Sequence, residues 1–394
     1  MPRLPSLPFR LQVFSTPQFL LVWLATIAII FWAFHSRPVN AQSGTSSEIL
    51  IGQVADFSGP LAGNVKEGTE AVRAYFDKVN KSGGVNGRKL VLQSLDDGYD
   101  PKKTVALAQS LIDSKSVLAL VLGRGTANAE ALMPLLKEKH VPMVGFAGGS
   151  VAMHVPANRY FFNLRPPYRI EAERAIGQLF AQGITTIAAV YTDDAFGKDA
   201  VLGIDAGAAN SNIKVTGTIA LERGSANVDG AITMIMSQKP GAVIAICTVK
   251  PCAALRKGLQ AAGYLGTFLT LSNTSSNAFI TELGEAGRGV IVTQVFPSPE
   301  SRAMAVSVDF QKLAEEYKLP KSYTAMEGYV YARVLVEAIK RAGANPTHET
   351  LTEALQSDKK FDLGGYVIAF SPTNRTGSQL VDLTIITKAG KFLR

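Results

Sequence analysis

The sequence predicts an α/β protein made of two lobes, and three observations predict it. From Glu48 onward, short apolar runs alternate with longer stretches of helical period, the pattern of parallel strands joined by crossover helices. The chain has 394 residues, enough for two compact lobes rather than one. A second series of the same kind starts after Arg165-Pro166-Pro167, whose paired prolines stop regular structure and suit a hinge or crossover.

The elements follow in order. Ile49 to Val54 reads as a buried strand, followed by a helix with Gly68, Val72, Tyr75, Phe76 and Val79 on one face. Lys89 to Leu92 is the second strand, Val117 to Leu122 the third and Val141 to Val144 the fourth. Helices between them carry Val105, Ala108, Leu111 and Ile112, then Leu132, Leu135 and Leu136. In the second series a helix buries Ala172, Ala175, Ile176 and Leu179. Strands are predicted at 186–190, 213–219, 242–246, 267–271 and 289–293, with helices near 200–209, 228–236 and 253–262. Phe296-Pro297-Ser298-Pro299 interrupts the series. Two long helical stretches, 302–317 and 323–341, have no strand between them, and they are expected to return and cover the first lobe. Strand-like runs at 366–370 and 381–387, joined through Pro372, Asn374 and Gly377, end the chain.

The first 41 residues differ from the rest. Arg3 and Arg10 precede an uncharged apolar run from Phe19 to Phe34, and Val39-Asn40-Ala41 follows, the order of a secretory signal peptide cleaved after Ala41. A retained membrane anchor is the alternative for a run of this length. No cysteine follows the cleavage point, which argues against a lipoprotein. Loss of this segment removes three arginines and no acidic residue, so the formal charge falls from +8 to +5. The remaining basic residues form no block, and nothing in them calls for nucleic acid. Cys247 and Cys252 could pair across a strand end and a helix start, or Cys247 could simply be buried. His140, His154 and His348 have no metal-ligand spacing.

Catalytic signatures are missing: there is no Gly-x-Ser-x-Gly, His-Glu-x-x-His or phosphate-binding Gly-x4-Gly-Lys-Ser/Thr. Gly123-Arg124-Gly125 is half of a dinucleotide fingerprint, with Asn128 in the third glycine position, so no cofactor is expected. In Asp96-Asp97 and Asp193-Asp194, neighbours on a strand point to opposite faces and cannot flank one bond together. They are expected at turns and caps. The chain is therefore expected not to be an enzyme.

Ala55-Asp56-Phe57-Ser58-Gly59-Pro60-Leu61, directly after the first strand, resembles the leucine/isoleucine/valine-binding family of type I periplasmic binding proteins. The resemblance continues in order through Asn80 to Arg88, Asp96-Asp97-Gly98-Tyr99-Asp100-Pro101, Tyr191 to Gly197 and Glu327-Gly328-Tyr329. It implies two doubly wound lobes joined by three crossovers, with a ligand held between them as they close about the hinge. The expected lobes are 48–166 plus 297–362 and 167–296 plus 363–394.

Site residues follow from the same resemblance. Gly125-Thr126-Ala127-Asn128 is a first loop at a helix start, where a hydroxyl and amides would hold a carboxylate; Thr126 could equally be only a cap. Ala147, Gly148, Gly149 and Ser150 form a second loop, alternatively a tight turn. Asp194 and Phe196 resemble a polar contact and an aromatic wall. Val249 and Asn273 resemble the family's pocket-strand positions, where relatives often carry an aromatic or acidic group, and these two residues do not supply the usual partner of an α-ammonium group. Tyr323 resembles an aromatic of the cleft or belongs to the core. Arg124 is expected to face the cleft and pair with an anion, or else to face solvent.

The resemblance implies a solute-binding protein of an ABC importer: periplasmic, monomeric, taking an amino acid or a related small organic acid or amide, and delivering it to a membrane permease. A receptor that signals ligand occupancy to a membrane partner is the alternative.

Overall fold

The structure, a computed structural model, describes residues 47–394. The expected signal peptide, 1–41, lies outside the described residues.

The first lobe is built on a five-stranded parallel sheet: β1 (Glu48–Ala55), β2 (Lys89–Asp96), β3 (Ala119–Arg124), β4 (Met143–Ala147) and β5 (Phe161–Phe162). Their order is β2-β1-β3-β4-β5. The order reverses between β1 and β3, which makes their carboxyl ends a switch point where ligands of such sheets gather. Crossovers are α1 (Ala62–Lys81), α2 (Pro101–Lys115) and α3 (Thr126–Lys139). Asp100 starts α2 by accepting the Lys102 and Lys103 amides, and Pro101 supplies a preset φ at the first turn.

The second lobe repeats the scheme with β6 (Thr186–Thr192), β7 (Lys214–Leu221), β8 (Ala242–Ile246), β9 (Thr267–Thr270) and β10 (Ile291–Gln294), all parallel. Its helices are α4 (Tyr168–Ala181), α5 (Ala195–Ser211), α6 (Asp229–Gln238), α7 (Val249–Ala261) and α8 (Asn277–Leu283). The order reverses between β6 and β8. Every side chain of β8 is buried, the mark of a central strand covered on both faces.

The chain then returns through α9 (Ala305–Tyr317) and α10 (Tyr323–Arg341), and their Phe310, Tyr329, Val330 and Leu335 enter the core of the first lobe, as expected of helices with no intervening strand. Next come α11 (His348–Gln356) and a small antiparallel pair, β11 (Phe361–Asp362) with β12 (Val367–Ile368). The strand expected over 366–370 is reduced to these two residues. Leu363, Tyr366, Ile368 and Phe370, grouped by sequence with the second lobe, pack into the first. The last crossover leads to β13 (Asp382–Ile386), antiparallel to β10, and to β14 (Phe392–Leu393). Three segments thus link the lobes, and two run side by side: Asn163 bridges to Thr376, its amide bonded to the Arg375 carbonyl at 2.9 Å and its carbonyl to the Gly377 amide at 2.7 Å.

Cys247 and Cys252 are disulfide-bonded and fully buried, joining the end of β8 to the first turn of α7.

Candidate functional site

A narrow cleft opens where the two switch points face each other. The first lobe contributes Leu61, Tyr99, Arg124, Gly125, Thr126 and Ala147; Tyr168, Phe196, Thr248 and Asn273 close it from the second. Its free volume is about 10 Å³, the room of one water molecule, so the lobes are drawn together. Contacts across the gap agree with that closure. The Asn64 amide donates to the Asn273 carbonyl at 3.0 Å, Ser276 Oγ donates to Asn64 Oδ1 at 3.1 Å, and Arg223 donates to the Tyr99 carbonyl at 3.0 Å. A Cβ added at Gly63 would stand 2.8 Å from the Ala278 Cβ.

The floor on the first lobe is the start of α3. Gly125, the residue before the helix, has φ +101°, and a Cβ there would stand 2.5 Å from the Tyr99 ring, so the position requires glycine. Thr126 begins the helix, is 2 % exposed, and its Oγ1 has no hydrogen-bond partner. A hydroxyl without a partner beside free helix-start amides is what a carboxylate would complete.

Arg124 ends β3 and lines the cleft, but it is buried and its Nη2 donates to Glu327 Oε2 at 2.8 Å. This corrects the solvent-facing alternative for Arg124: the side chain lines the cleft wall, and its anion comes from α10 rather than from a solute. Glu327 also accepts from Tyr331 Oη at 2.8 Å and lies 3.7 Å from Arg165. Arg165 in turn pairs with Glu171 at 2.7 Å and bonds Ser272, while Glu171 takes the Thr293 hydroxyl at 2.6 Å. Burial works against the Arg165 cation, but Tyr168, Glu171 and Glu327 hold its pKa above the ordinary value. Two cations and two carboxylates therefore balance behind the cleft, each hydrogen-bonded.

Tyr168 lies on Arg165, 4.7 Å from ring centroid to guanidinium, and meets Phe196 edge to face at 4.7 Å. Burial pushes the Tyr168 hydroxyl up to about 12. On the opposite side Arg223 stacks on Tyr99 at 4.4 Å.

Of the residues predicted for the site, Arg124, Thr126, Ala147, Phe196 and Asn273 come together around the cleft. Others point elsewhere. Asn128 bonds Thr104 at 2.8 Å and ties α3 to α2. Ser150 Oγ donates to Glu130 at 2.7 Å. Gly148 and Gly149 form a buried turn in which a Cβ on Gly149 would strike the Tyr168 ring at 2.8 Å. Ala127 is half-buried on α3. Asp194 caps α5 by accepting the Gly197 amide at 3.1 Å, with Arg223 Nε 3.5 Å from its other oxygen; burial, offset in part by these groups, raises its pKa. Val249 belongs to the core of the second lobe, and the neighbouring Thr248 lines the cleft instead. Tyr323 packs edge-on against Phe392 at 5.7 Å, outside the cleft.

Sequence reasoning missed Tyr99, Tyr168, Thr248 and Leu61. Tyr99 follows Asp96-Asp97-Gly98, whose carboxylates accept turn amides: Asp96 those of Phe57 at 2.8 Å and Gly98 at 3.0 Å, Asp97 that of Tyr99 at 2.9 Å. An aromatic placed on so tight a turn after a strand was the available signal. Among the described residues, no group of His, Cys, Asp and Glu is arranged to hold a metal.

The sequence model of the family described as periplasmic binding protein matches residues 48–391. A crystal structure of a substrate-binding periplasmic protein from Ralstonia solanacearum superimposes with a TM-score of 0.82 at 29% identity, covering 88% of this chain and 99% of that one. A possible leucine/isoleucine/valine-binding protein from Rhodopirellula baltica gives 0.82 at 25% identity, over 91% and 98%. Leu/Ile/Val-binding protein homolog 3 of Brucella melitensis is 22% identical over 88% of this chain and 93% of its own length.

Proposed function

The chain belongs to the periplasmic binding protein family, and from that premise we propose that it captures a small carboxylate-bearing solute in the cleft and hands it to an ABC permease in the membrane. One observation carries this reading: the unpartnered Thr126 hydroxyl at the start of α3, inside the cleft that both switch points line. Relatives named for leucine, isoleucine and valine binding support a solute of amino-acid size, and the leader expected over 1–41 supports export.

The chemistry asked of the site is recognition alone. The open lobes admit the solute, the α3 amides and Thr126 Oγ1 take its carboxylate, and Tyr168 and Phe196 cover its body. Closure then adds the Asn64, Asn273 and Ser276 contacts, so ligand stabilises the closed state by its extra affinity for it. Thermal unfolding against amino acids, hydroxy acids, aromatic acids and dicarboxylates tests the proposal. A solute at a hundred times its Kd should add about 2.7 kcal/mol of stability. If no carboxylate raises Tm and none is carried through purification, the cleft is not a solute site.

A further inference from the structure

Resting on that reading of the cleft, we infer that its solute is a carboxylate with an apolar body and an uncharged hydroxyl, a 2-hydroxy acid rather than an α-amino acid. None of the residues that line the cleft is acidic. Among the described residues, the carboxylates just behind its walls are already committed: Glu327 to Arg124 and Tyr331, Glu171 to Arg165 and Thr293, Asp194 to the Gly197 amide with Arg223 beside it, Asp56 to the Gly59 and Leu61 amides, and Asp97 to the Tyr99 amide and the Thr104 hydroxyl. Arg124, Arg165 and Arg223 match Glu327, Glu171 and Asp194 in charge, and the start of α3 adds a partial positive charge at the site. A solute carboxylate enters favourably, whereas an ammonium group would be buried without a counter-charge.

The second polar contact is also defined. Asn273 is buried, and its Nδ2 donates to the Cys247 carbonyl at 2.8 Å. A carbonyl can only accept, so this bond fixes the amide orientation and leaves Oδ1 as the atom without a partner. Oδ1 needs a donor. A neutral hydroxyl supplies one without bringing charge, and Tyr168, Phe196 and Leu61 are the walls that an apolar body would meet when the lobes part to admit it.

Matched pairs differing only at the second carbon decide the matter: 3-phenyllactate against phenylalanine, and 2-hydroxy-4-methylpentanoate against leucine, titrated calorimetrically into the purified protein. The hydroxy acids should bind about a hundredfold tighter than the amino acids, and Asn273→Asp should reverse the preference by placing a carboxylate at the second carbon. Equal or tighter binding of the amino acids to the unmodified protein overturns the inference and leaves the cleft a solute site. Failure of all four compounds overturns the inference; only if the wider carboxylate panel also fails does the solute-site reading fall with it.

Discussion

Arg124 and Glu327 meet at 2.8 Å in the wall of the cleft although 203 residues separate them along the chain. Each is nearly inaccessible to water, with side chains 4% and 5% exposed. Removing one member strands the other's charge. Arg124→Met should therefore cost about 3–5 kcal/mol of unfolding free energy, and the double variant Arg124→Met with Glu327→Leu should recover most of it. Urea denaturation of the single and double variants measures both; if the double variant is no better than the single, the pair is not the source of the loss.

The closed state depends on close approach at Gly63 and on the hydrogen bonds of Asn64. Asn64→Ala removes two contacts between the lobes worth about 1 kcal/mol each, so the solute should dissociate about tenfold or more faster. Gly63→Leu should prop the lobes apart at Ala278 and enlarge the radius of gyration of the liganded protein without lowering its Tm by much, since Gly63 is exposed. Small-angle scattering with and without solute reads the second effect, and an unchanged radius would rule it out.

His154 carries a pH dependence. Burial, with Arg165 nearby, lowers its pKa to about 3, and its Nδ1 lies 2.7 Å from Thr376 Oγ1. An imidazole depressed below its unfolded value near 6.5 favours the fold fully above that pH, and the benefit fades as pH falls from 6.5 toward 3. The slope for one proton is about 1.4 kcal/mol per pH unit. Unfolding free energies at pH 7, 6 and 5 should therefore fall more steeply in the native protein than in His154→Asn; parallel curves would show that His154 does not contribute.

The disulfide closes a short loop with a sequence separation of 5, for which chain entropy gives about 2 kcal/mol. Replacing both cysteines by alanine should lower stability by about that amount. Because the Cys247 carbonyl orients Asn273, it should also weaken solute binding, whereas both sulfurs are buried and mild reductant should leave the folded protein intact. Free-thiol titration before and after denaturation distinguishes these states.

The long elements were legible in the sequence because each imposes a period. The stretch 323–341 was placed to the residue, and β8 announced itself as a run of apolar residues between turns. β5 and β11 are two residues each, too short to carry any alternation. The site was half legible for a geometric reason. Thr126 and Asn128 sit two residues apart on one helix, about 200° around its axis, so one faces the cleft and the other faces α2. Nothing local says which is which. The contacts of Ser150 and Tyr323 were hidden similarly, since their partners, Glu130 and Phe392, come from other segments of the chain. Glu327 was quoted only within a motif, its role hidden until the fold brought it to Arg124.

Because the first and last linking segments are laced together at Asn163 and Thr376, neither can twist without the other. They behave as one ribbon, leaving the proline-punctuated stretch through Pro297 and Pro299 as the separate tether. Two supports define an axle, and opening should follow a single rotational path about it. A cut in either laced strand would free the swing in a second direction, and the cleft walls would then lose their alignment even with every residue of the cleft in place.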